Sequence, residues 1–241
     1  MLFISPTDRV FILSGAGVSA ESGIPTFRGV GGLWRNYRIE DVASPHAWQR
    51  DPRLVWEFYS MRRRVASAAK PNPAHVALAK LEHALGERLF LCTQNVDNLH
   101  EQAGSRRVVH MHGELFKSRC DNCRRPPFDD TNLYESPAEI PRCSCGGQIR
   151  PHICWFGEVP FALDQIYAAL GDCTIFMAVG TSGVVEPAAS FVASVRGRAR
   201  TIYVGPEHPA NASSFTECHL GNAGEVLPRL FAWTDSRHAS P

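Results

Sequence analysis

Four cysteines within 26 positions form the densest set of potential ligands in the sequence: Cys120, Cys123, Cys143 and Cys145. Cys120-x-x-Cys123 and Cys143-x-Cys145, nineteen residues apart, give four thiolates at zinc-ribbon-like spacing. The second half is C-x-C where C-x-x-C is commoner, and Gly146-Gly147 suits the tight turn that closes such a site. Four thiolates leave no open position, so one structural Zn2+ is expected rather than a catalytic one. Far upstream, Gly15-Ala16-Gly17-Val18-Ser19-Ala20 reads G-x-G-x-x-A directly after an apolar run. Small residues there let the backbone approach a pyrophosphate at a helix N-terminus, although a plain tight turn has the same look. The acidic residue that usually follows ~20 positions on is not evident, since Glu40 and Asp41 do not end a strand. Gln94-Asn95-Val96-Asp97-Asn98-Leu99-His100 places amides and a carboxylate after a second apolar run, where they could bind a ligand or cap a helix. His110 and His112 stand at i, i+2 on an extended segment, so spacing alone does not say which is the acid–base group. Tyr59 and Arg62, three apart, share a helix face, and an arginine fork with a hydroxyl beside it pairs well with a carboxylate. The alternative is that Arg62 belongs to a solvated Arg62-Arg63-Arg64 run.

These groups need strands and helices to hold them. Residues 9–14 (RVFILS), 88–93 (RLFLCT), 173–180 (CTIFMAVG) and 201–205 (TIYVG) are near-continuous apolar runs, as in strands covered on both faces. Each leads into turn residues and a helix-like segment. The expectation is an α/β fold, a Rossmann-like doubly wound parallel sheet with a smaller zinc-binding and helical domain inserted. The Rossmann-like domain is expected over 1–33, 73–116 and 152–241, with 34–72 as the helical part and 117–151 as the zinc part of the small domain. A helix is expected over 52–69, capped by Asp51 with Pro52 at its first position. Its core stripe is read as Leu54, Phe58, Met61 and Val65, with Val55, Tyr59, Arg62 and Ala66 on the neighbouring stripe. The tail, 235–241, is expected to be disordered.

Read together, the motifs resemble the sirtuin family, in family order from about residue 9 to 230. The string from Gly15 to Arg28, ending Gly23-Ile24-Pro25-Thr26-Phe27-Arg28, is similar to its first signature. The resemblance implies that Gly15, Ala16, Gly17 and Ala20 belong to the NAD site. It further implies that Arg28 approaches the phosphates from a mobile loop and that Phe27 shields the nicotinamide end. Gln94 would contact the nicotinamide ribose, Asn95 the ribose and an ordered water, and Asp97 the nicotinamide carboxamide. His112, matching the family's H-G signature, would be the general base, and His110 would be structural. Gly180, Thr181 and Ser182 resemble the family's GTS motif and would hold the adenosine ribose. The backbones of residues 183–185, Val184 included, and of Trp155-Phe156-Gly157-Glu158 would receive the substrate as an added strand. Tyr59-x-x-Arg62 after Trp56-Glu57-Phe58, with Ala43 upstream, resembles the desuccinylase-like branch and implies a pocket for succinyl-, malonyl- or glutaryl-lysine. Two positions depart from the family pattern: Ile153-Cys154 stands where relatives often have a valine pair, and Gly205 lies where they usually carry an asparagine.

The resemblance thus implies an NAD-dependent protein lysine deacylase. The acyl-lysine oxygen attacks the nicotinamide ribose, His112 takes a proton from the ribose hydroxyls, and lysine and 2′-O-acyl-ADP-ribose are released. NAD is a consumed cosubstrate. A mono-ADP-ribosyltransferase would use the same site, a dehydrogenase would share the fold, and a zinc-ribbon nucleic-acid binder would use the cysteine module. The formal net charge of +1 and sparse aromatics around the cysteines argue against nucleic acid as the main partner. Hydrophobic residues at 44% suit a globular core, and no apolar run approaches the ~20 residues of a membrane helix. The start of the chain has no signal-peptide pattern, so a cytoplasmic, monomeric protein acting on acyl-lysine proteins or peptides is expected.

Overall fold

The computed structural model describes residues 1–26, 33–34, 37–136 and 139–232. Phe27, Arg28 and the 235–241 tail lie outside the described residues. The strands in chain order are β1 (Val10–Ser14), β2 (Leu33–Trp34), β3 (Tyr37–Arg38), β4 (Leu89–Thr93), β5 (Val108–His110), β6 (Gly113–Cys120), β7 (Phe128–Asp129), β8 (Ile149–Ile153), β9 (Ile175–Val179), β10 (Arg200–Gly205) and β11 (Glu217–Leu220). The helices are α1 (Ala16–Ala20), α2 (Ile39–Val42), α3 (Pro45–Arg50), α4 (Pro52–Ala68), α5 (Pro73–Leu85), α6 (Leu99–Gln102), α7 (Leu163–Asp172), α8 (Phe191–Val195) and α9 (Ala223–Leu230).

The four apolar runs become the four central strands of a six-stranded sheet in the order β11-β10-β9-β1-β4-β5. Every neighbouring pair in it is parallel. Alternate residues of β1 explain why its run is continuous: both faces are covered. Val10 and Ile12 pack with Leu78 and Leu81 of α5 and Leu227 of α9. Phe11 and Leu13 pack on the other face with Ile166 and Leu170 of α7 and Val195 of α8. From β1 the chain builds β4 and β5 on one side, then β9, β10 and β11 on the other. The order therefore reverses beside β1, and the crevice outside the C-terminal ends of β1 and β9 is where such sheets bind ligands. Sequence reading missed the edge strands β5 and β11, whose residues are only partly buried and lack an apolar run.

A second core joins α2, α3 and α4 to the antiparallel sheet β7-β6-β8. Two of the expected domain boundaries fall within strands of this sheet, since β6 begins at Gly113 and β8 continues to Ile153. α4 starts as expected: Asp51 accepts a hydrogen bond from the Leu54 amide at 3.0 Å, and Pro52 occupies the first turn. Its buried face differs from the expected stripe. Leu54, Met61 and Val65 are only half-buried, whereas Val55, Trp56, Phe58, Tyr59, Ser60, Arg63 and Ala66 are buried. The reason is that α4 packs against β6 and β8 through its aromatic face, with Trp56 donating to the Ile149 carbonyl at 3.1 Å.

The arginine run splits three ways rather than facing solvent together. Arg64 is exposed and pairs with Glu135, and Arg62 is half-buried. Arg63 is fully buried and pairs with Asp130 at 3.3 Å. Arg63 also donates to the carbonyls of Leu115 (2.8 Å) and Asn132 (2.6 Å), so one guanidinium pins α4 to β6. A buried charge persists only when its donors are matched in this way.

Candidate active site

A cleft of about 600 Å³ opens over the C-terminal ends of β1, β4 and β9 and extends toward the small core. It collects Gly15, Ala16 and Gly17, Gln94, Asn95 and Asp97, His112, and Gly180, Thr181 and Ser182. Ala43, Tyr59, Arg62, Phe156, Gly157, Glu158 and Val184 complete the same lining. The structure does not bring Ala20 there: it is exposed at the end of the five-residue α1, outside the lining. The fingerprint's last small residue ordinarily packs a longer helix on its strand, and α1 is too short for that contact.

The glycines are required by a loop-to-loop contact. A Cβ on Gly17 would lie 2.7 Å from the Gly180 Cα, and one on Gly15 would lie 2.8 Å from the Gly180 carbonyl oxygen. Gly180 itself has φ +62, a conformation suited to glycine. The Gly15 amide donates to the Val179 carbonyl (2.9 Å) and the Gly17 amide to the Gly180 carbonyl (2.8 Å). The two loops therefore form one floor, with Ala16 opening α1, where first-turn amides lack intrahelical acceptors.

His112 and His110 separate clearly. His112 donates from Nδ1 to the Gln94 carbonyl at 3.1 Å, because a carbonyl can only accept. That fixes the tautomer and leaves Nε2 as the acceptor. Burial holds His112 below the usual histidine range, against the opposing pull of that carbonyl, so it is neutral at neutral pH. His110 uses both ring nitrogens: Nδ1 faces the Asn95 carbonyl at 3.0 Å and Nε2 faces the Glu101 carboxylate at 2.7 Å. Burial alone would lower His110, but the bond and charge of Glu101, the Asn95 carbonyl and the Glu114 charge together outweigh it, and the imidazolium is favoured. His112 is thus the available base, and His110 is a fixed donor.

Beneath the cleft, the Ser19 hydroxyl accepts from the Asn95 amide (3.1 Å) and donates to the Asp97 carboxyl (3.1 Å). Burial raises Asp97 above the ordinary carboxylate range, despite the Leu99 amide and Ser19 hydroxyl that bond it. Gln94 donates to the Thr181 hydroxyl at 3.2 Å, linking the ends of β4 and β9. Sequence reading missed Ser19 as a hub, because in the fingerprint it counts only as a spacer. At Gly205 a side chain would collide with the Tyr203 hydroxyl, which donates to the Thr181 carbonyl at 3.3 Å. Tyr203 thus fills the space beside Gly205.

On the other wall, Tyr59 is buried and its hydroxyl accepts from the Trp155 indole N–H at 3.0 Å, so its own hydrogen remains to be donated. The Arg62 guanidinium lies over the Tyr59 ring, 5.6 Å from its centroid. Burial holds Arg62 below the ordinary arginine range, with Tyr59 and Asp97 opposing that shift. Glu158 lines the cleft, but its carboxylate faces the scaffold: Arg150 holds both oxygens at 2.7 and 3.0 Å, and the Trp155 amide donates to it at 2.8 Å. Phe156 and Val184 are exposed apolar side chains at the cleft.

The four cysteine sulfurs lie within 4.8 Å of one another. Cys120 and Cys145 are 3.5 Å apart, and Cys123 and Cys143 are 3.7 Å apart. Zn–S bonds of about 2.3 Å in a tetrahedron place sulfurs roughly 3.8 Å apart, so the set fits zinc. Amides of Asn122 and Cys123 donate to Cys120, and that of Gly147 donates to Cys145. A Cβ on Gly147 would come 2.6 Å from the Asn122 Cβ and 2.9 Å from the Cys120 sulfur, which explains the second glycine of the pair.

A nucleotide-type crevice, a buried amide–carboxyl pair, a neutral histidine and a four-thiolate module together define a class of NAD-using enzyme with a structural zinc. Residues 15–187 match the Sir2 family model, and the chain belongs to that family. It is similar to an NAD-dependent protein deacylase of Vibrio cholerae, 49% identical, with 93% of this chain and 92% of the relative covered. Among solved structures it superposes on a Sir2 homolog–NAD complex with a TM-score of 0.87, at 40% identity over 96% of this chain and 91% of that one. It also superposes on a Sir2 variant with a deacetylated p53 peptide and 3′-O-acetyl ADP ribose, with a TM-score of 0.80 at 29% identity over 93% and 92% of the two chains. No helix among the described residues is long and apolar enough to cross a membrane.

Proposed function

We propose that this cleft removes acyl groups from protein lysines in an NAD-dependent reaction, with succinyl and malonyl groups preferred and acetyl tolerated. Family membership and the deacylase relatives support the reaction. The observation that carries the acyl preference is that Tyr59 and Arg62 line the same cleft as His112 and Asn95. Bound NAD supplies the ADP-ribosyl group that accepts the acyl as nicotinamide departs. In this reading, Gly15, Ala16 and Gly17 face the phosphates, and Gln94, Asn95 and Asp97 hold the nicotinamide ribose and carboxamide. Asp97 suits an amide because its carboxyl is buried beside donors. Thr181 and Ser182 face the adenosine ribose. His112 takes a ribose hydroxyl proton at Nε2, the nitrogen left free by the Gln94 carbonyl. Phe156, Gly157 and Val184 border the path of a peptide laid in as a strand, while Glu158 fixes that border through Arg150. Ala43 leaves room at the acyl end, where the Arg62 fork and Tyr59 hydroxyl would meet a carboxylate. The four cysteines would hold one structural zinc. A monomer in the cytoplasm accompanies this reading.

The test is incubation of the protein with matched acetyl- and succinyl-lysine peptides, with and without NAD, following product masses. NAD-dependent loss of succinyl with an acyl-ADP-ribose product is expected. ADP-ribose added to protein would support the transferase instead, and loss of acetyl alone would discard the acid-reading pocket.

A further inference from the structure

The two histidines of His110-Met111-His112 clasp consecutive carbonyls of one turn. His112 Nδ1 donates to the Gln94 carbonyl at 3.1 Å, and His110 Nδ1 donates to the Asn95 carbonyl at 3.0 Å. The amide side of Asn95 is held as well, since its N–H donates to the Thr93 hydroxyl at 3.0 Å. Asn95 therefore has both flanking peptide planes fixed, and its side chain is left to face the cleft and Ser19. The outer nitrogen of His110 is closed by Glu101 of α6 at 2.7 Å, and that carboxylate is partly exposed.

We propose that Glu101 and His110 are a positioning dyad for the reaction: Glu101 keeps the His110 ring oriented as a donor, and His110 holds the turn that orients Asn95 and fixes the tautomer of His112. The inference rests on the deacylase reading of the same cleft. Neither residue touches substrate in this role. Releasing His110 frees the peptide plane after Asn95 to rotate. That rotation moves the neighbouring Gln94 carbonyl, on which the Nε2 lone pair of His112 depends. The charged groups and titratable neighbours facing His110 are Glu101 and His100 from α6, Asp97 from the turn after β4, and Glu114 from β6. Loss of the His110 proton from Nε2 would set a lone pair against the Glu101 carboxylate and turn the ring away. The proton is favoured below the raised His110 value, so the geometry is complete there and is lost as pH rises through it.

The experiment measures kcat and peptide KM from about pH 6 to about pH 10 for wild type, His110→Leu, His110→Asn, Glu101→Gln and His112→Ala, with thermal melts of each. His110→Leu should lower kcat roughly tenfold with KM changed less than about twofold, the loss of one buried donor. His110→Asn should recover most of that loss, because an asparagine amide N–H overlays the histidine Nδ1–H. Glu101→Gln should move the alkaline limb of kcat to lower pH. This shift would not follow from a merely structural role, and the partial exposure of Glu101 makes the variant a test even if His110→Leu fails to fold. Inactive His112→Ala beside unchanged His110→Leu and Glu101→Gln overturns the dyad alone. Asparagine as damaging as leucine also overturns it. Near-wild-type activity of His112→Ala overturns the base assignment beneath the dyad, and the dyad with it.

Discussion

Arg62→Met removes the guanidinium while keeping an unbranched apolar stem of similar reach. In the proposed complex, the fork makes two charge-assisted hydrogen bonds to the acyl carboxylate, at about 1.5–2 kcal/mol each in a half-buried setting. Their loss amounts to about 3–4 kcal/mol, or a fall of roughly 10²–10³-fold in kcat/KM for the succinyl peptide. Tyr59→Phe removes a single donor, so a loss of about tenfold is expected for the same peptide. That variant also strands the buried Trp155 N–H, whose acceptor is the Tyr59 hydroxyl at 3.0 Å. It should therefore lose about 1–3 kcal/mol of stability, which Arg62→Met need not. The assay is a competition between succinyl and acetyl peptides in one tube, read by mass so that the ratio of kcat/KM values is independent of active fraction. Acetyl turnover should stay within about threefold in Arg62→Met, since an acetyl group offers no carboxylate to the fork. Equal loss on both peptides would show that Arg62 shapes the cleft in general. No loss on either would return it to the role of a solvated charge.

Four further outcomes follow from the geometry. His112→Ala should reduce turnover by about 10²–10⁴-fold, and the acid limb of wild-type kcat/KM should lie below the ordinary histidine range, because burial keeps His112 neutral. Acid should also unfold the protein early. His75 and His100, fully buried, are pushed down to about 4 and about 3, so the unfolded chain binds more protons below about pH 6.5. Stability should fall as pH drops from there toward 4, by roughly 3 kcal/mol for His75 alone, and melts across that window would measure it. Gly17→Ala should raise the KM for NAD or prevent folding, as its Cβ would sit 2.7 Å from the Gly180 Cα; wild-type kinetics would refute the interlock. Elemental analysis should find one zinc per chain, and Gly147→Ala should lower that occupancy along with thermal stability, because its Cβ would press on Cys120 and Asn122.

Much of this was legible because local pattern and tertiary role coincide. Strands covered on both faces must be apolar throughout, so β1, β4, β9 and β10 announced themselves. The start of α4 was written in Asp51-Pro52. The edge strands β5 and β11 carry no such pattern, because one side of an edge is free of partners. The buried stripe of α4 was misplaced for a different reason. Periodicity identifies a helix but not the size of the surface it meets, and here Trp56, Tyr59 and Arg63 face a sheet broad enough to bury them. Arg63 could not be told from Arg64 by type. Only Asp130, 67 positions away, decides which of the two is inside. The cleft residues, His112 among them, were found through family motifs, while Ser19 and Glu101 needed the hydrogen bonds.

β6 begins at Gly113, directly after His112, and ends at Cys120. A single extended segment of about 25 Å thus carries the general-base candidate at one tip and a candidate zinc ligand at the other. Arg63 grips its middle through the Leu115 and Lys117 carbonyls. β6 shifts register against β8 between Gly113 and Ser118, so its aim depends on its anchors, and slackness introduced at the thiolates would reach the imidazole as a small change of aim. An ion that does no chemistry could then still govern turnover, and a partly demetallated preparation would be a mixture of well-aimed and badly aimed molecules.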